Sequence, residues 1–144
     1  MINRVYALSR FELENRFFIR EPFALISYRY PGARFVTLPL ADLCVGTSNL
    51  MFHDIDRKTD KHHGQMLMPG RQATKIVSFV KSIECSILIC QCETGLSVAP
   101  AIAAPICTWL GAEHIKAGTP ITPNSHVQTM VEMAIEWDAF TQSL

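Results

Sequence analysis

The chain has 144 residues and a mass of 16.2 kDa, and 49% of it is hydrophobic, which suits one compact domain with a substantial core rather than two domains or a disordered segment. Charged residues make up only 18%, thirteen basic against thirteen acidic, and the sequence pI is about 6.9. That balance excludes a strongly basic nucleic-acid arm and an acidic tail.

The zero net charge hides an asymmetry. Lys116 is the only basic residue after Lys81, whereas Glu84, Glu93, Glu113, Glu132, Glu136 and Asp138 all fall in that stretch. Two balanced patches are the simplest reading, and a nucleic-acid partner is not expected. No apolar run approaches the ~18 residues of a membrane span. The nearest, Val98 to Leu110, carries Pro100 and Pro105. The N-terminal Met1-Ile2-Asn3-Arg4-Val5-Tyr6 has no apolar core of a signal peptide. The expectation is a cytoplasmic protein with no membrane partner. Five cysteines (Cys44, Cys85, Cys90, Cys92, Cys107) cannot all pair, and their apolar neighbours suit a reducing compartment.

In chain order, Arg4 to Ser9 reads as a strand, and Phe11 to Phe18 as a helical turn capped by Ser9. Phe23 to Tyr28 is an apolar strand stopped by Pro31-Gly32. Phe35 to Leu40 reads as extended, broken by Pro39, and Asn49 to His53 as a further strand. Asp54 to Gly70 reads as a long polar loop, of a length that favours function over a simple turn. After Pro69, Ala73, Ile76, Val77, Val80 and Ile83 recur at helical spacing. Cys85 to Cys90 is a continuous apolar run, the mark of a doubly buried central strand. Val98 to Leu110 is an apolar helix ending at Gly111, in which Pro105 predicts a kink or a break. The last helix starts near Pro123-Asn124-Ser125, with Val127, Met130, Val131, Ala134 and Trp137 as its buried stripe. Trp109 reads as a core or half-buried anchor. The early aromatics Phe11, Phe17, Phe18 and Phe23 fit either the core or an exposed apolar patch.

This alternation predicts a single α/β domain, a three-layer sandwich with a central, mainly parallel sheet. Ligands bind beyond the carboxyl ends of such strands. The turn after Cys90, Gln91-Cys92-Glu93-Thr94-Gly95-Leu96-Ser97-Val98, is therefore the place for a site. Successive amides in such a turn converge on one point, and the following helix adds positive potential. That field favours a nucleophilic thiolate.

The run resembles the signature loop His-Cys-x-x-Gly-x-x-Arg-Ser/Thr of cysteine-dependent protein tyrosine and dual-specificity phosphatases, most of all the small bacterial and phage type. Val5 to Arg10, Ala24 to Ser27, Phe52-His53-Asp54-Ile55-Asp56 and Pro123 to Val127 resemble family segments in the same order, so the likeness runs from about residue 4 to 137. It implies the phosphatase sandwich, with Cys92 as the nucleophile, Gly95 as the loop glycine, residues 91–99 as the phosphate loop, and Asp54 or Asp56 as the general acid. No cofactor or metal is implied.

Three positions depart from the pattern: Gln91 stands where the family has histidine, Val98 where it has arginine, and Ala99 where it has Ser/Thr. The arginine is a permanent bidentate clamp on phosphate oxygens. Valine offers neither donor nor charge, and losing even one preorganised donor costs ~2.7–4 kcal/mol. The resemblance thus implies a pseudophosphatase that binds a phosphate-bearing ligand, a phosphoprotein or another protein partner. The alternative is a weak Cys92-dependent phosphatase with a substitute cation, for which Arg34, Arg57 and Arg71 are candidates. A homodimer stays open. His62-His63 with Asp54, Asp56 and Asp60 reads as a solvated loop in preference to a metal site, and Cys90 with Cys92 lacks zinc-ligand spacing.

Overall fold

The structure, a computed structural model, describes residues 1–57, 64–116, 118 and 120–144. Its centre is a five-stranded, all-parallel sheet of β1 (Arg4–Ser9), β2 (Phe23–Arg29), β3 (Cys44–Met51), β4 (Ile87–Cys92) and β5 (Glu113–Lys116), in the order β3-β2-β4-β1-β5. The helices are α1 (Arg10–Asn15), α2 (Gly70–Ser82), α3 (Val98–Leu110) and α4 (Ser125–Gln142).

Two apolar clusters separate the layers. On one face, Leu13 and Phe17 pack on Leu8, Phe23, Leu25, Ile87 and Ile89. On the other, α2, α3 and α4 cover Val5, Ala24, Ile26, Leu88 and Cys90. Alternate residues of β4 feed the two faces, and all six are buried, as a strand between two helical layers requires. The expected three-layer α/β architecture is present, with a wholly parallel sheet.

Several boundaries differ from those read off the sequence. The apolar run predicted a strand over Cys85–Cys90, but β4 begins at Ile87 and continues through Gln91 and Cys92. Pairing with β1 on one side and β2 on the other carries it past the last aliphatic residue. β3 spans Cys44–Met51 rather than Asn49–His53. It is an edge strand whose outward residues are polar or half-exposed, so no apolar run marks it. β5 is a four-residue edge strand with no such signal either. Phe35–Leu40 is not a strand. Val36, Leu38 and Leu40 are partly buried against the smaller cluster, and that packing accounts for their alternation.

α3 runs without a break through Pro105. Proline removes one intrahelical N–H bond. Here Pro105 itself and most of the helix are buried in the core, so tertiary packing holds the helix together. α3 ends at Gly111, which takes the left-handed conformation expected of a helix stop (φ +66°). α1 is shorter than predicted but starts where expected: Ser9 Oγ accepts from Glu12 N, and Glu12 Oε1 accepts from Ser9 N. Of the aromatics, Phe17 and Phe23 are core, whereas Phe11 and Phe18 are exposed. Trp109 is half-buried and packs on the main cluster. Trp137 does not belong to the buried stripe of α4; it is 63% exposed.

Leu88 is wholly buried in β4, so Leu88→Ala is expected to destabilise the fold by about 2–5 kcal/mol in urea denaturation. Ser9→Ala removes one capping interaction and is expected to cost about 0.5–2 kcal/mol in the same assay.

Candidate active site

Parallel pairing sets Ser9 beside Cys92. The chain leaves β4 at Cys92, crosses Glu93–Ser97, and enters α3 at Val98. This loop lies directly on the end of β1. Arg10 N donates to Glu93 O at 3.3 Å. Gly95 has φ +73°, and a Cβ there would lie 2.7 Å from Ser9 N and 3.0 Å from the carbonyl carbon of Leu8. Glycine is needed at Gly95 for both conformation and space.

Cys92 is buried, and Gly95 N donates to its Sγ at 3.2 Å. The loop therefore turns at least one amide inward onto the sulfur. Leu96 N is directed elsewhere, donating to Thr94 Oγ1 at 3.1 Å. Ser97 occupies the N-cap position of α3 but makes no capping bond with its side chain. Its Oγ donates instead to Asp54 Oδ1 at 3.0 Å.

Asp54 is the aspartate the fold ties to the loop. Its Oδ1 also accepts from Asn124 Nδ2 at 2.7 Å. Asn124 is itself buried and fixed: Nδ2 reaches Ile55 O, and Oδ1 accepts from Val127 N to cap α4. Two backbone bonds, Thr122 N to Leu96 O and Asn124 N to Ser97 O, dock the segment before α4 against the loop. Asp54, Asp56, Ser97, Thr122 and Asn124 line a polar cleft of about 410 Å³. Asp56 lies in that cleft, exposed. The base of the long 54–69 connection is pinned by His53, whose N donates to Met66 O and whose Nδ1 accepts from Met66 N.

Val98 and Ala99 are completely buried in the main core. Gln91 is also buried; Ser27 Oγ donates to its Oε1 at 2.6 Å, while its Nε2 has no partner among the described residues. Two faces of β4 thus diverge at the site, with Cys92 on the α3 side and Gln91 on the α1 side.

Among the described residues, Arg34, Arg57 and Arg71 make no ion pair or hydrogen bond with residues 91–99. The guanidinium that does is Arg10, which is not among the candidates read from the sequence. Arg10 Nε donates to Glu93 Oε1 at 2.9 Å, and its NH2 reaches Arg34 O. Nothing in the local sequence marks Arg10; only the Ser9–Cys92 register brings it here. Arg34 instead grips Glu14 with both terminal nitrogens, at 2.9 and 3.1 Å. That bond, with the Thr37 amide and the charge of Arg10, holds the Glu14 carboxyl at about 2.

Of the other cysteines, Cys85, Cys90 and Cys107 are core residues and Cys44 is half-buried on β3. Burial pushes the Cys107 thiol up to about 11 and the Cys90 thiol well above the usual range. Burial, with Asp54, Cys92 and Glu93 nearby, also raises the Tyr28 phenol, which donates to Phe52 O at 2.7 Å. No cluster of three or more metal-ligating side chains occurs among the described residues. Asp60, His62 and His63, weighed above for such a role, lie outside them. Likewise, no described helix is long and apolar enough to cross a membrane.

Gly95→Ala is expected to cost about 1–3 kcal/mol from backbone strain alone, with the overlap on Ser9 adding to it, as read by urea denaturation. Because Glu14 is depressed when folded, its stabilisation is complete above pH 4.5 and is lost as pH falls through about 2. Glu14→Gln is expected to lower stability at pH 7 and to flatten this acid limb in a pH series of thermal melts. Comparison with protein-family models, with curated proteins and with solved structures finds no match for the chain in any of the three.

Proposed function

We propose that the chain is a pseudophosphatase: a tyrosine and dual-specificity phosphatase-like protein that binds a phosphorylated ligand or a protein partner without turning it over. The observation that carries this reading is Val98. It opens α3 at the position of the family's arginine, and it is completely buried in apolar surroundings.

Other features support the same reading. A cysteine ends a buried parallel strand, an inward amide reaches its sulfur, and a helix starts a few residues later. Such a loop offers N–H donors and a helix N-terminus to an anion. Among the described residues, no cation other than Arg10 makes an ion pair or hydrogen bond with it. Arg10 is engaged by Glu93, and Asp54 and Asp56 line the adjoining cleft. A phosphoryl dianion is therefore held by dipoles alone, against nearby carboxylates. The charge that builds on its equatorial oxygens during transfer has no guanidinium to meet it, at a cost of at least ~2.7–4 kcal/mol, on the order of 10²–10³ in rate. Weak binding without useful turnover follows.

A second reading rests on Arg10. It is next in sequence to the residue that pairs with Cys92, so a shift of the Glu93 side chain releases its Nε beside the loop, while Glu14 and Arg34 O still hold its terminal nitrogens. Under that reading the protein is a weak, Cys92-dependent phosphatase.

Hydrolysis of an aryl phosphate by wild type, Cys92→Ser and the double variant Val98→Arg/Ala99→Ser separates the two. The pseudophosphatase reading predicts background rates for the first two and a gain of at least tenfold for the double variant. A thermal melt checks that the double variant is folded, since its new guanidinium takes the place of a core valine. Wild-type turnover that Cys92→Ser abolishes and Glu93→Gln raises would establish the second reading instead.

A further inference from the structure

The outer surface of α2 and α4 carries an apolar groove of about 580 Å³ between the two helices. Met133, Trp137 and Phe140 of α4 stand beside it, 57%, 63% and 54% exposed. These residues fall at i, i+4 and i+7, so they form one ridge along the helix. Facing the ridge, α2 contributes Gly70 and Thr74 to the groove, side chains too small to fill it. Isolated exposed apolar residues are ordinary, but a ridge beside a groove on one helical layer marks an interaction surface.

The charges say what fits there. Every Lys, Arg, Asp or Glu of α2 is basic (Arg71, Lys75, Lys81), and every one of α4 is acidic (Glu132, Glu136, Asp138). Among the described residues, only Lys81 and Asp138 form an ion pair between the two helices, at 2.9 Å. The helices run in the same direction: a Cβ on Gly70 would lie 3.3 Å from Met130 Cε, and Lys81 meets Asp138 farther along. Counted at the ~1.5 Å rise per residue, Arg71 and Glu132, and likewise Lys75 and Glu136, are offset along the helices by about 1.5 Å from the Gly70–Met130 contact and by about 6 Å from the Lys81–Asp138 pair, within reach of side chains of this length.

We propose that this face pairs with the same face of a second copy of the chain. A two-fold axis running along the groove sets each α4 over the partner's α2. It seats each Trp137 ridge against the other groove, and it brings the Glu132/Glu136 pair opposite Arg71/Lys75 twice. A surface that is basic on one half and acidic on the other is complementary to itself under such an axis, as an isologous contact demands. The proposal is independent of the reading of the Cys92 loop, which lies at the strand ends.

Sedimentation velocity from low to high micromolar concentration tests it. Wild type is expected to shift from monomer to dimer with rising concentration, and less so at high salt. Glu132→Lys/Glu136→Lys and Arg71→Glu/Lys75→Glu are each expected to weaken self-association at least tenfold. An equimolar mixture of the two variants is expected to restore the dimer, because both contacts then join opposite charges. Restoration also shows that neither variant is misfolded. A wild type that stays monomeric throughout, variants that dimerise as wild type does, or a mixture that fails to pair would overturn the proposal.

Discussion

Between Gly95 and the end of β1 there is no room for a side chain, and the rest of the site depends on that contact. It presses the loop after β4 onto the backbone of Leu8 and Ser9. The β1–β4 register then fixes what meets what: Ser9 beside Cys92, and Arg10 against Glu93. The same short strand end starts α1 through the Ser9–Glu12 capping box. One backbone approach thus couples the central strand, the loop and the first helix, and a side chain at residue 95 disturbs all three.

On that frame the electrostatics of the loop run against its shape. The shape collects donors: an inward Gly95 amide and the N-terminus of α3. The side chains supply acceptors: Glu93, Asp54 and Asp56. Asp54 is satisfied by Ser97 and Asn124 rather than by a cation. Arg10 carries charge to the loop, but Glu93 takes it up. An ion pair 13% and 34% exposed at its two side chains is partly screened and contributes modestly to stability. It also occupies the Nε of Arg10, the guanidinium that bonds to the loop among the described residues.

How much of this is legible in the sequence follows from where each signal resides. The helices and the central strands are written in local patterns. The 73/76/77/80 stripe, the Gly111 stop and the Asn124 start all stand in the structure, because burial of one face and capping are short-range constraints. The edge strands β3 and β5 leave little trace, since half-exposed edges need few apolar residues. Trp137 reads as core but stands in solvent, because helical spacing does not tell a buried stripe from an exposed ridge beside it. At the site, Cys92, Gly95 and the pair Asp54 and Asp56 can be picked out from their order in the chain. Arg10 cannot, because its place depends on a pairing between strands more than eighty residues apart. Nor does spacing separate Asp54 from Asp56; that distinction comes from Ser97 and Asn124, which converge on one carboxylate alone.

On the proposed function, the loop receives a phosphoryl group without a cation to hold it tightly. Backbone amide resonances followed during titration with phosphotyrosine test it most directly, with Cys92→Ser as a second sample. Fast-exchange shifts are expected, concentrated at Glu93–Ser97 and the first turn of α3 and saturating only at millimolar ligand. Amides of that loop that stay unmoved at the highest ligand concentration, or tight binding centred on another surface, would contradict it.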